Sequence, residues 1–151
     1  MANPTDPSST AEPPQSSGFR LRSHGADELV EAWGTTRGAC IVQTVRGMVA
    51  AFADVEEVAA TTSITLHPTG EDVEVLLEVL EEVITLLDTV GVLPVGLEVE
   101  EAGTAIAVRL QLAPLDHVSA RGAAPKAVAW SELRLEPDEH RVWHATALVD
   151  V

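Results

Sequence analysis

Three residues of this chain have a type and setting that suit chemistry: a lone lysine, an aspartate near the C-terminal end, and an aspartate in a short loop near the start. Lys126 is the only lysine, and the other eight basic residues are all arginine. A compact ammonium enters tight polar sites that a planar guanidinium cannot, so its single use hints at a specific position; an ordinary surface lysine is the plainer alternative. Asp150 follows the apolar run Ala147, Leu148, Val149. A carboxylate at the end of a buried strand, beside the C-terminal carboxylate, attracts a cation, either an ammonium or a divalent metal held by oxygen; a solvated strand end is the bland reading. Asp27 closes the segment His24-Gly25-Ala26-Asp27. An aspartate in such a loop braces the turn through local backbone hydrogen bonds, and the same geometry suits a metal carboxylate.

Other chemistries find no support. With Cys40 as the only cysteine, an internal disulfide and a cysteine-rich zinc site are excluded, and the residue reads as a small apolar group on a buried helix face. His140 and His144 are four apart on an expected strand, which separates them by about 13 Å, too far to share an ion. No site is assigned to them, to His67 or to His117. A glycine-rich phosphate loop, a nucleophile elbow and a Ser-His-Asp set are all missing from the sequence.

These residues need elements to position them. Val73, Leu76, Leu77, Leu80, Val83, Ile84 and Leu87 recur at three- and four-residue spacing, which predicts a helix over Glu71–Val90 between Gly70 and Gly91. A second row, Val75, Val79 and Leu86, leaves a narrow polar stripe of Glu74, Glu78, Glu81, Thr85 and Asp88, so this helix must be covered on more than one side. Thr35 or Thr36 caps an earlier helix running to about Ala53, which Gly38 and Gly47 weaken unless packing holds it. Period-two alternation predicts strands at Gly18–Ser23, Glu28–Trp33 and Glu56–Leu66, then a hairpin from Leu93 to Leu112 turning at Gly103. A loop over Ala113–Ala124 and two last strands, Lys126–Leu135 and Arg141–Val149, complete the order. Strands grouped as hairpins with two helices between them argue a single α+β domain over 18–151, largely antiparallel sheet layers with two helices, rather than alternating βαβ units.

The formal charge is -15, and its placement is informative. Between Gly47 and Val108 there are thirteen carboxylates and no Lys or Arg. Such a stretch repels bare nucleic acid, because phosphate binding depends on basic side chains displacing counterions. It suits a basic partner, or simply a solvated face. No apolar run is long enough to cross a membrane, and no basic start followed by an apolar segment marks a signal peptide, so the expected setting is the cytoplasm. Met1–Ser17, rich in Pro, Ser and Thr, is expected to be an unstructured tail.

Four separated segments resemble the archease family. His24-Gly25-Ala26-Asp27 is similar to the family's His-Thr-Ala-Asp, and Asp72–Leu93 to its long helix. Pro125-Lys126-Ala127-Val128-Ala129-Trp130 resembles Val-Lys-Ala-Val-Thr-Tyr, and Leu148-Val149-Asp150-Val151 the hydrophobic-Asp-Ile ending; the match spans about Phe19 to Val151. Departures are Gly25 for Thr, Trp130 for Tyr, and Ala113-Pro114 where a Gly-Glu pair is usual. The resemblance implies a non-catalytic activator that promotes guanylylation and repeated turnover of an RtcB-type, GTP-dependent RNA ligase in tRNA splicing or RNA repair. It also implies that Asp27, Lys126 and Asp150 are required for ligase activation. Asp27 and Asp150 would hold a divalent ion, whether calcium, magnesium or manganese, with the lysine limiting repulsion between them. Two rival readings stand beside this one: a metal-dependent phosphoesterase, and a metal-independent, chaperone-like module that binds through the acidic helix.

Overall fold

A computed structural model describes residues 16–151, so the tail expected over 1–17 lies outside the described residues except for Ser16 and Ser17. The alternating segment that follows forms β1 (Gly18–His24), turns through Gly25 and Ala26, and returns as β2 (Asp27–Gly34). Gly25 holds φ at +66°, a left-handed backbone that a residue without Cβ enters at no steric cost. Next comes α1 (Arg37–Phe52), started by the Thr36 hydroxyl, which accepts the Ala39 N–H at 3.0 Å. Its weak points in propensity are close contacts in packing. A Cβ on Gly47 would lie 2.6 Å from Val30 Cγ1, and one on Gly38 would lie 2.8 Å from Val99 Cγ1. The glycines therefore let the helix settle onto strands on two sides.

The strand expected over Glu56–Leu66 is only half formed. After the short β3 (Ala53–Asp54) the chain turns: the Asp54 carboxylate accepts the Glu56 N–H at 3.0 Å, Glu57 takes φ +63°, and Val58 donates to the Val55 carbonyl. Pairing begins at β4 (Thr62–Leu66). Thereafter α2 (Asp72–Thr89) follows Gly70, and the Glu74 carboxylate accepts the Glu71 N–H at 2.7 Å. At its other end Val90 and Gly91 both donate to the Leu86 carbonyl. The expected polar stripe is exposed, but the buried face is centred on Val75, Leu76, Val79, Leu80 and Val83. Leu77, Ile84 and Leu87 lie on its half-buried flank.

The predicted hairpin is present as β5 (Val92–Ala102) and β6 (Ala105–Pro114), and β4 joins β6 to give a sheet in the order β4-β6-β5. The expected loop after it contains β7 (Ser119–Ala120), which pairs with β3. The strand expected over Lys126–Leu135 is interrupted. It divides into β8 (Ala127–Val128) and β9 (Arg134–Pro137), both antiparallel to β10 (Trp143–Asp150). Val128 faces Val149 and Arg134 faces Thr146, so residues 129–133 span the width of only Ala147 and Leu148 and bulge out as a 3-10 turn. The five-stranded sheet runs β1-β2-β10, with β8 and β9 sharing the far edge of β10. Both helices touch both sheets, which accounts for the wide apolar arc of α2. Val30, Ala32, Ala145, Ala147 and Val149 line the inner face of the larger sheet and join residues of both helices and the smaller sheet in one core.

One ion-pair cluster binds three element ends. The Arg37 side chain, 11% exposed, donates from Nη1 to Asp72 at 2.9 Å and from Nε to Glu101 at 2.8 Å. Glu101 also accepts the Gly38 N–H at 3.0 Å. The starts of α1 and α2 are thus pinned to the tip of the β5–β6 hairpin. Burial pushes the Cys40 thiol up to about 12, as the sequence reading of an inert buried cysteine requires.

Two outcomes are expected. Leu80→Ala should cost about 2–5 kcal/mol in urea unfolding, and Ile84→Ala distinctly less; equal costs would place the buried face wrongly. Cys40 should resist an aromatic disulfide reagent at pH 8 in the folded protein and react on unfolding. Rapid labelling of the folded protein would contradict its burial.

Candidate functional site at the sheet end

The hairpin β1–β2 and the last strand place the three sequence candidates together. His24 and Asp27 are register partners across the β1–β2 turn. The β2–β10 ladder pairs Glu28 with Val149, and one further step sets Asp150 level with Asp27. On its other side Asp150 pairs with Ala127, and the Lys126 N–H donates to the Asp150 carbonyl at 2.8 Å. One row across the sheet end therefore reads His24, Asp27, Asp150 and Ala127, with Lys126 next to it. Asp27 is half-buried; His24, Lys126 and Asp150 are exposed. Residues directly opposite on neighbouring strands project to the same face with Cβ atoms about 5 Å apart, so continuing the ladder by one step puts Asp27 and Asp150 on one face at the sheet end.

Lys126 meets Asp150 through its backbone. None of the ion pairs among the described residues involves Asp27, Lys126 or Asp150. Lys126 is joined to Asp150 through the backbone because Ala127, not the lysine, is the residue facing Asp150 in the ladder. The donor set suits a hard divalent cation in type, since carboxylate oxygens are what calcium, magnesium and manganese prefer. It is incomplete in number. Among the described residues no group of three or more His, Cys, Asp or Glu is arranged to hold a metal. Two carboxylates would supply part of an open coordination sphere, leaving positions for water or for another molecule.

Neither of two surface concavities reaches this row. One, of about 610 Å³, lies between the second half of α1 and the start of β5, bordered by Phe19, Arg46, Val58 and Leu97. The other, of about 390 Å³, lies on the larger sheet beside Arg20, Trp33 and His144. His140 sits in the turn before β10 rather than on a strand as expected, and His144 is tied by Nε2 to Asp138 at 2.9 Å. Asp138 also accepts the N–H groups of His140 and Val142, bracing the β9–β10 turn. Sequence reading passed over two arrangements, the Arg37 cluster and the Arg20–Glu31–Arg22 group. The second had a signal, since arginines alternate with Phe19 and Leu21, but its carboxylate comes from the facing strand and needs the register.

A single α+β domain, its C-terminal strand inside an antiparallel sheet and an open acidic row at one sheet end, is the class that this geometry defines. Comparison with known proteins places it further. The model of the Archease protein family matches residues 19–151. Proteins described as probable protein archease, from two strains of Mycobacterium tuberculosis, are 39% identical over 141 residues, covering 93% of this chain and 78% of theirs. The chain belongs to the archease family. Its fold is also that of a solution structure of Methanobacterium thermoautotrophicum protein 1598, at TM-score 0.67, 18% identity, and coverage of 89% of this chain and 99% of that one. A crystal structure of an archease, described as a possible chaperone, from Thermotoga maritima superposes at TM-score 0.60, 16% identity, and coverage of 87% and 96%. Among the described residues no helix is long and apolar enough to cross a membrane.

A pH dependence follows from Asp138. The hydrogen bond from His144 holds its carboxyl below the usual aspartate range, and the two backbone N–H groups act the same way. A folded value below the unfolded one stabilises above the unfolded value, and that contribution fades as pH falls through the folded value. Carbon-detected carboxylate titration should find Asp138 titrating below an unstructured aspartate, and His144→Ala should move it back up. An unchanged midpoint in the variant would remove the histidine as the cause.

Proposed function

We propose that this protein is a non-catalytic activator of an RtcB-type RNA ligase, working in the cytoplasm in tRNA splicing or RNA repair. In this reading it promotes guanylylation of the ligase and so allows repeated turnover. Asp27 and Asp150 would hold a divalent ion, whether calcium, magnesium or manganese, at an open sheet end, and Lys126 would act beside them on the partner. The observation that carries the reading is the adjacency of Asp27 and Asp150 across the β2–β10 ladder, with the Lys126 backbone bound to Asp150. Membership of the archease family agrees with this general reading, and the choice of these three residues rests on the motif resemblance. A self-contained phosphoesterase fits less well, because these residues lie outside both concavities, and enzyme sites as a rule lie within one.

A chaperone-like reading draws on a different surface. Glu74, Glu78 and Glu81 stand exposed along α2, and a fold relative is described as a possible chaperone. The two readings separate in one assay of ligase guanylylation with the isolated partner. Asp27→Asn, Lys126→Ala and Asp150→Asn should each remove most of the stimulation while melting like the parent. Double variants should be little worse than singles, since residues that act as one unit are strongly non-additive. Lys126→Arg should fail as well if a compact ammonium is needed. Full stimulation by folded Asp27→Asn and Asp150→Asn, with loss on Glu78→Lys and Glu81→Lys, would overturn the proposal in favour of the acidic helix.

A further inference from the structure

The larger sheet has a second feature on the face turned away from the helices. Val30 and Ala32 point into the core, so by strand alternation Glu31 and Trp33 lie on the outer face, level with Arg20 and Gly18 on β1 and with Thr146 and His144 on β10. There the Glu31 carboxylate accepts from Nε of Arg20 and from Nε of Arg22, each at 2.9 Å. Burial works against the Glu31 charge, but the hydrogen bonds from the two arginines outweigh it and hold the carboxyl below its usual range. The brace therefore stays ionised at neutral pH. It fixes both arginine stems by Nε, and the side chains remain 58% and 57% exposed. A guanidinium held this way presents its outer fork to a planar or tetrahedral oxyanion.

A groove of about 390 Å³, bordered by Arg20 and Glu31 with Arg22 just outside it, has the other half of a ligand site. The Trp33 ring lies against Gly18, where a Cβ would come within 2.8 Å of Cζ2, so a glycine makes room for the indole beside β1. At the far side His144 is fixed by Asp138, and Thr146 offers a hydroxyl. Arg20 and Arg22 share one carboxylate on the near side, while on the far side Arg134 faces Thr146 and the carboxylates of Glu136 and Asp138 lie beside His144, so net positive charge is confined to the β1 edge. Phosphate is what such a fork recognises, and a base is what an indole platform stacks.

We propose that this groove binds a nucleoside phosphate, with the phosphate on Arg20 and Arg22 and the base against Trp33. The ligand is a free nucleotide or the phosphorylated end of an RNA, which share this chemistry. The exclusion of bare nucleic acid rested on the acidic stretch 47–108, and the groove is built from residues on either side of it. It needs neither Lys126 nor the Asp27–Asp150 pair, so it stands or falls apart from ligase activation.

The test is titration calorimetry and tryptophan fluorescence on the full chain without any ligase. The probes are GTP, adenosine 3'-monophosphate, a short RNA ending in a 3'-phosphate, unmodified adenosine and inorganic phosphate. The phosphorylated nucleosides should bind and quench fluorescence, while adenosine and inorganic phosphate bind more weakly. Arg20→Ala and Arg22→Ala should each weaken binding roughly tenfold with unchanged melting, as loss of a charge-assisted hydrogen bond does. Arg109→Ala, on the other sheet, should bind as the parent does. Trp33→Phe should keep the heat of binding and lose most of the quench. Tighter binding of the RNA than of the mononucleotides identifies an RNA end as the ligand, and the reverse identifies a free nucleotide; either supports the site. No binding at millimolar nucleotide, parent-like binding by folded Arg20→Ala and Arg22→Ala, or an equal loss in Arg109→Ala would overturn it.

Discussion

The antiparallel ladder between β2 and β10 is the constraint on which the rest of the structure depends. It inserts the last strand of the chain between the first hairpin and the β8–β9 edge, so residues more than 120 positions apart in sequence become neighbours. Its register is set from the inner face. Val30, Ala32, Ala145 and Ala147 are small or slim residues under α1, and Gly47 lets the helix backbone come down onto Val30. A slip of one residue would turn this apolar set outward and the acidic row inward, a change the core would not tolerate. Packing beneath the sheet thus decides which carboxylates meet at its end.

Much of this was legible in the sequence, for reasons that particular residues make plain. The apolar period of α2, its bracketing glycines and the alternation of β5, β6 and β10 are local signals, and local signals survive folding. So did the grouping of strands into hairpins, from which the α+β class followed. What was not legible depends on partners distant in the chain. The alternation from Val58 to Leu66 reads as one strand, yet Asp54 and Glu57 turn its first half away from the sheet. The run from Lys126 to Leu135 carries nothing that announces the bulge at Trp130. The face of α2 was placed slightly off because Val75 and Val79, a secondary row by count, point at the junction of helices and sheets. Asp27, Lys126 and Asp150 were singled out by type and setting and then by motif; their place in one row at the sheet end needed the register of the ladder.

The two ends of the larger sheet's outer face have opposite character. At one end Asp27 and Asp150 concentrate negative charge in the open; farther along, Arg20 and Arg22 reverse the sign around Glu31. Both are displayed on the outer side of a sheet whose inner side is buried, and β-ladders keep such positions fixed to within a fraction of a strand spacing. Such a face holds its charges open to another molecule, as the proposed action on a partner requires.

Whether Asp27 and Asp150 form one site by register is tested most directly by manganese(II) relaxation in amide NMR. Trace manganese should broaden the amides of Asp27, Glu28, Ala127, Val149 and Asp150 first, and an Asp27→Asn/Asp150→Asn double variant of unchanged fold should lose the effect. Broadening centred on Glu78 and Glu81 of α2, or none near the sheet end at millimolar metal, would contradict it.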